Sequence, residues 1–230
     1  MKAREFKVIA RIKTDFPDKF GTPRQSGLAD GVLGKIIFEP EYRNDDALRG
    51  IEGYSHLWLL WEFSKSVCEK WSPTVRPPRL GGNKRMGIFA TRSPFRPNPI
   101  GLSSVKLEKV EHTAYFGTVL IVSGVDIIND TPIYDIKPYI AYTDSHPDAV
   151  SGFADDVYGN DLSVEIPREI TEKLDSEFTK TLIKILSNDP RPSYQNDKER
   201  IYSFEFAEYN IKFKVDDKIL TVIDVNKILY

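Results

Sequence analysis

The sequence predicts a mainly β protein, with an N-terminal antiparallel barrel or sandwich and a small C-terminal α+β part. Six or seven short apolar or alternating segments occur before residue 145, with turn residues between them and almost no helical spacing. After residue 160, a stripe with helical spacing lies between further alternating segments. Residues 146–160 are polar and acidic, which is typical of a linker. We therefore divide the chain into residues 1–145, a linker at 146–160, and residues 161–230.

Alternation and apolar runs predict the N-terminal strands in order. Residues 6–13 alternate, which indicates a strand with one wet face, and residues 30–39 form a second strand that Pro40 ends. The most apolar run, residues 54–63, predicts a central strand buried on both faces. Residues 86–90 predict a short strand. These segments supply the first half of the predicted sheet.

The second half of the sheet follows residue 100. Residues 100–110 and 116–126 predict two long strands. Residues 133–142 predict another, but Pro138 within it has no backbone N–H to donate. We therefore expect this strand to bulge or to lie at an edge of the sheet.

The C-terminal part combines both kinds of element. Residues 162–166 predict a strand, and Pro167 suits the first position of a helix. The helical stripe that follows is expected to divide into two helices at Asp175. Residues 202–215 and 219–225 alternate and predict the last strands. The stripe consists of Ile170, Leu174, Phe178, Leu182 and Ile185.

Composition argues against several classes of protein. No run of about 18 apolar residues occurs, so no transmembrane helix is expected, and the first residues do not resemble a signal peptide. A single cysteine, Cys68, excludes an internal disulfide and fits a reducing cytoplasm. With three histidines and neither a CxxC nor an HxxxH spacing, no metal site is expected. The glycine motifs of dinucleotide and phosphate-loop proteins and the GxSxG elbow are also absent.

Residues 70–106, hereafter the basic window, contain eight basic residues and no acidic one, although the whole chain carries a net charge of −2. The window also holds six of the fifteen prolines, which stiffen the backbone at their own position and at the preceding residue. A rigid cationic segment on a mildly acidic protein indicates an anionic partner, for which nucleic acid is the obvious candidate. A solvated basic loop is the alternative. The basic residues are Lys70, Arg76, Arg79, Lys84, Arg85, Arg92, Arg96 and Lys106.

A second candidate site lies in the strand predicted at residues 133–142. Because side chains repeat every two residues along a strand, Asp135, Lys137 and Tyr139 should share one face. An aspartate beside a lysine can form a proton-handling pair. An ordinary ion pair on one face of the strand is the alternative.

Several long motifs relate the chain to a known family. They are PRQSGL at 23–28, RGIEGYSHLWLL at 49–60, PTVRPPRLGGNKRMGIFATRSPFRPNPIGLS at 73–103 and DTPIYDIKPYI at 130–140. In these motifs the chain closely resembles the TsaA-like family, the bacterial and archaeal tRNA threonylcarbamoyladenosine methyltransferases. The motif DPRPSY at 189–194 resembles the second domain of longer bacterial members. The resemblance therefore covers nearly the whole chain.

This resemblance implies an S-adenosylmethionine-dependent enzyme built on a β-barrel, working as a homodimer with the cofactor near the subunit interface. Its substrate would be the exocyclic nitrogen of threonylcarbamoyl-adenosine, next to the anticodon of threonine tRNAs. Ser64 and Lys65 stand where related members are expected to carry His-Gln. The residues that the resemblance assigns to the cofactor are Pro23, Arg24, Gln25, Ser64, Lys65, Arg92, Leu102, Ser123, Gly124, Val125 and Asp126.

Each polar group then has an expected role. Asp135, tuned by Lys137, should take the proton of the acceptor nitrogen, with Tyr139 or Tyr142 as the fallback. Arg92 and Arg96 should hold the cofactor carboxylate or an RNA phosphate, since a guanidinium matches both. The residues expected to bind tRNA are Arg76, Arg79, Lys84, Arg85 and Arg96.

Residues 161–230 are expected to form an accessory unit that assists tRNA binding. Two rival functions remain open from the sequence. One is a non-catalytic RNA-binding barrel that kept the basic window and lost the chemistry. The other is a methyltransferase that acts on a small molecule.

Overall fold

A closed six-stranded antiparallel barrel forms the N-terminal part of the protein, and an open four-stranded sheet with helices forms the C-terminal part. The structure, a computed structural model, describes residues 5–68, 70–80, 84–157, 159, 161–191 and 197–228, without the side chains of Arg79 and Val157. The fold class predicted from the sequence is thereby confirmed. The strands are β1 (Ala10–Thr14), β2 (Leu33–Phe38), β3 (His56–Glu62), β4 (Thr74–Val75), β5 (Met86–Gly87), β6 (Ile100–Thr113), β7 (Gly117–Ser123), β8 (Thr131–Pro138), β9 (Ser163–Glu165), β10 (Tyr202–Phe206), β11 (Tyr209–Asp216) and β12 (Ile219–Lys227).

The barrel strands follow the order β1-β2-β7-β6-β3-β8, and β8 pairs back onto β1 to close the ring. Closure leaves every one of these strands with two hydrogen-bonded neighbours. Because successive side chains alternate across a strand, one set points inward and packs the interior. Fully buried members of that set include Ile12, Ile36, Leu59, Leu120 and Ile133.

The apolar strand β3 is buried on one face only, so the prediction of burial on both faces is wrong. Leu57, Leu59 and Trp61 point into the barrel and are buried, whereas the alternate residues are only partly covered. Trp58 and Leu60 belong to this outer face. A closed barrel has one sheet, so the outer side of β3 has no second layer of strands to bury it. The apolar residues on this side, such as Trp58 and Leu60, instead form part of the outer surface of the barrel.

The strand with the internal proline bulges, as predicted, but not at the proline. Inside a closed barrel, β8 cannot be an edge strand; it simply ends at Pro138, where a missing N–H is harmless. A bulge is present, but its extra residue is Tyr134, because Leu60 pairs with Asp135 while Trp61 pairs with Ile133. The predicted strand at 86–90 shortens to Met86–Gly87 and is followed by a 3-10 turn at Ile88–Ala90.

The tail, residues 161–230, contains a sheet of order β10-β11-β12-β9 with two helices, α2 (Arg168–Thr171) and α3 (Ser176–Ser187), after the short α1 (Ala141–Asp144) that follows the barrel. The predicted division of the helical stripe is confirmed. The Asp175 carboxylate caps α3 by accepting hydrogen bonds from the backbone N–H groups of Glu177 and Phe178. The segment predicted as one strand at 202–215 turns at Ala207, which has φ +52°.

The barrel and the tail share one hydrophobic core through the loop between β1 and β2. Phe16 of this loop is fully buried, and its ring lies 5.1 Å from the ring of Phe206. Gly21 lies so close to Phe204 that a Cβ atom on it would come within 2.1 Å of the ring. Only glycine fits there, also because its φ is +92°. The packing of this loop against the tail therefore fixes the start of the segment that follows it, residues 22–25. No helix among the described residues is long and apolar enough to cross a membrane.

Candidate functional site

A cleft of about 650 Å³ opens beside one end of the barrel. Its walls come from the β1–β2 loop, the end of β3 with the turn Ser64–Ser66, residues 91–96 of the basic window, the start of β6, and Asp126 just beyond β7. Its lining is mainly apolar, with a few charged groups, as in many sites for small organic ligands. Segments far apart in sequence thus form one concave surface.

Most residues that the sequence assigned to the cofactor lie on this cleft. Ser123, Gly124 and Val125 do not line it: Ser123 ends β7 with its hydroxyl bonded to Glu108, and Val125 is fully buried. Gly124, with φ +73°, accepts a hydrogen bond from the Gly27 N–H at 2.9 Å and so closes the loop behind the cleft. The predicted residues on the cleft wall are Pro23, Arg24, Gln25, Ser64, Lys65, Arg92, Leu102 and Asp126.

Two arginines of the cleft are fixed by neutral oxygens. Arg92 Nη1 donates to Gln25 Oε1. Arg24 Nη2 donates to the backbone carbonyls of Asp189, at 3.2 Å, and Arg191, both in the tail. Carbonyl acceptors orient a guanidinium without cancelling its charge, so Arg92 keeps its attraction for an anion.

Arg96 is tied into the basic window itself. Its Nη1 donates to the carbonyls of Ile88, at 3.3 Å, and Thr91, at 2.6 Å, and its guanidinium lies over the Phe89 ring. Neither Arg92 nor Arg96 forms an ion pair with any carboxylate in the described part of the chain. Arg96 therefore shapes the 88–96 turn and also reaches the cleft wall.

Ser64 and Lys65 lie in a 3-10 turn at the end of β3. Lys65 Nζ donates to the Pro17 carbonyl at 2.6 Å and to Asp18 Oδ1 at 2.9 Å, which ties this turn to the β1–β2 loop. Lys19 reaches back to the Lys65 carbonyl at 2.6 Å. The ammonium groups of Lys19 and Lys65 thus join the loop and the turn into one wall of the cleft.

Asp126 is one of two acidic groups in the cleft lining, the other being Glu62. Burial raises the pKa of Asp126 to about 6, although the Ser103 hydroxyl and two backbone N–H groups that bond the carboxylate oppose this shift. Ser103 donates to Asp126 Oδ1 at 2.6 Å, and Trp61 Nε1 donates to Ser103 Oγ at 2.9 Å. Sequence reasoning missed Ser103 and Trp61, since both look like ordinary inward positions of strands; the only signal was a serine among apolar inward residues of β6.

The second predicted group, on β8, lies outside the cleft lining. Lys137 Nζ and Asp135 Oδ2 are 2.8 Å apart, in a partly exposed ion pair on the outer face of the barrel. The two residues stand beside Trp58 and Leu60 of β3 in the strand register. Tyr139 follows β8, and its ring lies 5.6 Å from that of Trp58, which does line the cleft. Trp58 is therefore the link between the two predicted groups.

The basic residues assigned to tRNA all belong to the basic window, and Arg96 among them lines the cleft. Arg76, Lys84 and Arg85 are exposed. The side chain of Arg79 lies outside the described residues, as do residues 192–194 of the DPRPSY motif. Large aromatic side chains are also exposed in the window: Trp71 by 51% and Phe89 by 74%, with ring centroids 6.3 Å apart.

In the described part of the chain, no group of three or more His, Cys, Asp or Glu side chains could hold a metal ion. The chemistry available at the cleft is that of three arginines, two lysines, the carboxylates of Asp126 and Glu62, and an apolar wall. This set suits a zwitterionic ligand with both apolar and hydrogen-bonding parts.

Comparisons with known proteins agree with this architecture. Residues 11–145 match the family model of the tRNA-methyltransferase O N-terminal domain, and residues 160–228 match that of the TrmO C-terminal domain. The tRNA (adenine(37)-N6)-methyltransferase of Escherichia coli is 38% identical over 226 residues, covering 94% of this chain and 95% of that protein. The protein of the same name from Eikenella corrodens is 42% identical, covering 71% and 92%.

A solved structure extends the likeness to three dimensions. The crystal structure of TrmO from Pseudomonas aeruginosa superimposes with a TM-score of 0.79 at 30% sequence identity, covering 99% of this chain and 98% of that one. A putative S-adenosylmethionine-dependent methyltransferase from the same species is 39% identical over 193 residues, covering 81% of each chain. With both family models matched in order, this chain belongs to the TrmO family.

Proposed function

We propose that this protein is an S-adenosylmethionine-dependent tRNA methyltransferase. Its substrate is the exocyclic nitrogen of threonylcarbamoyl-adenosine, next to the anticodon of threonine tRNAs, in the cytoplasm. The observation that carries the proposal is the convergence of Arg24, Arg92 and Asp126, from three distant segments, on one cleft that the basic window partly lines. The curated relatives named as tRNA (adenine(37)-N6)-methyltransferases support the same activity.

The cleft fits the proposed cofactor in size and in chemistry. S-adenosylmethionine carries an α-carboxylate, an ammonium, ribose hydroxyls and an adenine, and it supplies a methyl group on a sulfonium. Arg24 and Arg92 would hold the carboxylate, because both line the cleft and a guanidinium matches a carboxylate in charge and geometry. Asp126 would accept hydrogen bonds from hydroxyl or amino groups. Trp58 and Phe63 offer apolar walls for the rings.

The proposed base for the acceptor nitrogen is Asp135. That nitrogen is conjugated to the purine and to the ureido carbonyl, so removal of its proton would restore a usable lone pair. Lys137 holds the carboxylate at 2.8 Å, and Tyr139 packs against Trp58 at the cleft. The target base would therefore lie across Trp58, between the cleft and the Asp135–Lys137 pair.

The basic window is the proposed tRNA-binding surface. Its exposed cations would neutralise backbone phosphates. Trp71 and Phe89, exposed among them, would stack on unpaired bases, as aromatic side chains do in recognition of RNA loops. The anticodon loop offers both features at once: phosphates and unstacked bases.

The tail is the proposed accessory unit for tRNA binding, with boundaries near residues 146–160. It would act partly by fixing Arg24, whose guanidinium donates to two carbonyls of the tail. We further propose that the protein works as a homodimer. Leu102, 56% exposed on the cleft side, and Tyr142, 89% exposed after β8, are apolar groups that a second subunit could cover. Light scattering coupled to gel filtration measures the assembly directly.

Mass spectrometry of tRNA nucleosides tests the function. Threonine tRNA that carries threonylcarbamoyl-adenosine is incubated with the protein and S-adenosylmethionine, and a methylated form of that nucleoside is expected. Unmodified tRNA is the matched control and should gain no methyl group. Absence of cofactor binding in calorimetry would favour the non-catalytic RNA-binding barrel. Methyl transfer that ignores tRNA would favour a small-molecule methyltransferase.

The base assignment predicts the behaviour of Asp135→Asn. Turnover should fall by a factor of about 100 to 10,000, the usual contribution of general base catalysis, because an amide cannot accept the proton. Cofactor affinity should stay within about twofold, since Asp135 does not line the cleft. Single-turnover kinetics and calorimetry measure the two quantities.

Asp130→Asn is the matched control for that variant. Asp130 pairs with Lys13 at 2.7 Å near the start of β8, and asparagine tolerates its φ of +66°. This control should leave turnover unchanged. Wild-type turnover in Asp135→Asn would exclude Asp135 as the base.

A further inference from the structure

Three side chains form a hydrogen-bonded chain at the floor of the cleft. Trp61 Nε1 lies 2.9 Å from Ser103 Oγ, which lies 2.6 Å from Asp126 Oδ1. Ser103 is fully buried and Trp61 is 5% exposed. Trp61 and Asp126 both line the cleft, and Asp126 brings a carboxylate to it. Ser103 and Trp61 have no part in the proposed transfer of the methyl group.

The chemistry of the three side chains fixes which group donates and which accepts in each of these hydrogen bonds. An indole N–H can only donate, so the Ser103 oxygen must accept from Trp61. The Ser103 proton is then free to point at Asp126 Oδ1, which must act as an acceptor. The arrangement therefore favours the ionised carboxylate and leaves Oδ2 as the atom that carries any proton.

Packing holds these three hydrogen-bonded side chains in place. Gly101 pairs with Trp61 between β6 and β3, and a Cβ atom on Gly101 would come within 2.3 Å of the indole. The indole therefore lies directly against the backbone of β6, two residues before Ser103. Leu102 between them points outward to the cleft. A serine hydroxyl at this inward position has only Trp61 and Asp126 as side-chain partners among the described residues.

Several charged groups face Asp126 across the cleft. The Arg92 guanidinium acts to lower the pKa of Asp126, as do the Ser103 hydroxyl and the backbone N–H groups of Ser26 and Asp126, while burial dominates and raises it to about 6. The remaining charged groups on the cleft wall are Lys19, Arg24, Lys65, Arg96 and Glu62. Neutral backbone or side-chain oxygens engage Arg24, Lys19 and Arg96, and Asp18 pairs with Lys65.

We infer that Ser103 is a positioning residue that holds Asp126 as an ionised acceptor for a hydroxyl or amino group of the bound cofactor. The inference rests on the proposed use of S-adenosylmethionine. It adds a consequence: cofactor affinity depends on pH. The affinity is full while Asp126 is ionised and falls as pH drops through about 6. Loss of the Ser103 hydroxyl removes one group that favours ionisation, so the midpoint moves to higher pH.

Calorimetric titration with S-adenosylmethionine between pH 5 and pH 8 tests the inference. In Ser103→Ala, affinity at pH 7 should fall about tenfold, the loss expected for one hydrogen bond to a charged group, and the midpoint should rise. Trp61→Phe should move the midpoint in the same direction by less, because Ser103 keeps its bond to Asp126. Asp126→Asn should bind weakly with a profile that reflects only the titration of the ligand itself.

Ser104→Ala is the matched control. It removes a hydroxyl from the next residue of β6, on the other face of the strand, and should leave affinity and midpoint unchanged. A uniform loss of affinity in Ser103→Ala with an unmoved midpoint would mean that Ser103 only packs the floor, and would overturn the inference. If Ser103→Ala fails to fold, the midpoint of Trp61→Phe decides in the same way. Absence of binding by the wild-type protein would instead overturn the proposed function itself.

Discussion

The cations of the basic window and those of the tail are in opposite electrostatic situations. In the described part of the window, Lys106 pairs with Glu108, and the other cations have no carboxylate partner. Among the described residues of the tail, eight lysines and arginines form ion pairs with carboxylates. These are Arg168, Lys180, Lys184, Arg191, Lys198, Lys212, Lys214 and Lys227.

This contrast explains how a protein with a net charge of −2 can bind a polyanion. Within a Debye length of a few ångströms to about 10 Å, a phosphate responds to local charge and not to the total. The cations of the tail are largely neutralised by carboxylates of the protein, whereas the window leaves its charge for a ligand.

Charge reversal gives the largest expected effect. The double variant Arg76→Glu and Arg85→Glu should weaken tRNA binding roughly 100-fold at physiological salt, and the slope of log affinity against log salt should become shallower by about 0.7 to 0.9 for each phosphate that the variant no longer neutralises. Fluorescence anisotropy at salt concentrations from about 50 to about 200 mM measures both. Unchanged affinity would mean that the exposed cations of the window do not meet RNA.

The tail offers a control with the same change of charge. Lys198→Glu and Lys212→Glu together should alter tRNA affinity by less than about threefold, because Asp216 and Asp224 already neutralise these lysines. A loss as large as that of the window variant would show that the tail contacts RNA directly and would break the contrast.

Loss of aromatic side chains gives an intermediate effect. Trp71→Ala and Phe89→Ala should each lower tRNA affinity about tenfold, near the low end of the range for one stacked base. The salt slope should stay as in the wild type, since no charge is removed. Tyr115→Ala, at the exposed β6–β7 turn, is the matched control and should bind normally. A change in subunit assembly without a change in RNA affinity would assign Trp71 and Phe89 to a protein interface.

The smallest effect is expected from a single tail ion pair. Lys212→Ala removes a partly exposed ion pair with Asp224, in which the charged atoms are 3.6 Å apart, so the free energy of unfolding should change by at most about 1 kcal/mol. Urea denaturation measures this change. A larger effect would indicate that the ion pairs of the tail stabilise its fold and do more than neutralise charge.

Alternation in the sequence was enough to predict the strands of the barrel, but not which strands pair or how far each outer face is buried. Alternating apolar residues fix which face of a strand points inward, as in β1 and β2. Closure into a barrel depends on β8 pairing with β1, about 120 residues earlier, and no local pattern reports that pairing. The same limit explains β3, where an apolar outer face looked like burial on both sides.

The candidate site shows a similar division. Loop residues such as Arg92 and Gln25 stood out because Pro, Gly and Arg in fixed order rarely serve packing alone. Ser103 and Trp61 lie in regular strands and could be recognised only once the Asp126 carboxylate was placed beside them. The contacts of Arg24 with tail carbonyls could not be predicted, because a backbone oxygen leaves no trace in the choice of residue.

The β1–β2 loop packs against the tail, with Phe16 next to Phe206 and Gly21 next to Phe204. Two residues after Gly21, the same loop forms the cleft wall at Pro23. A barrel cut free near residue 160 would therefore present bare aromatic surface to water, and its ligand-facing loop would lose its backing. Heating or denaturant that loosens the tail should consequently abolish ligand binding before the barrel strands themselves come apart.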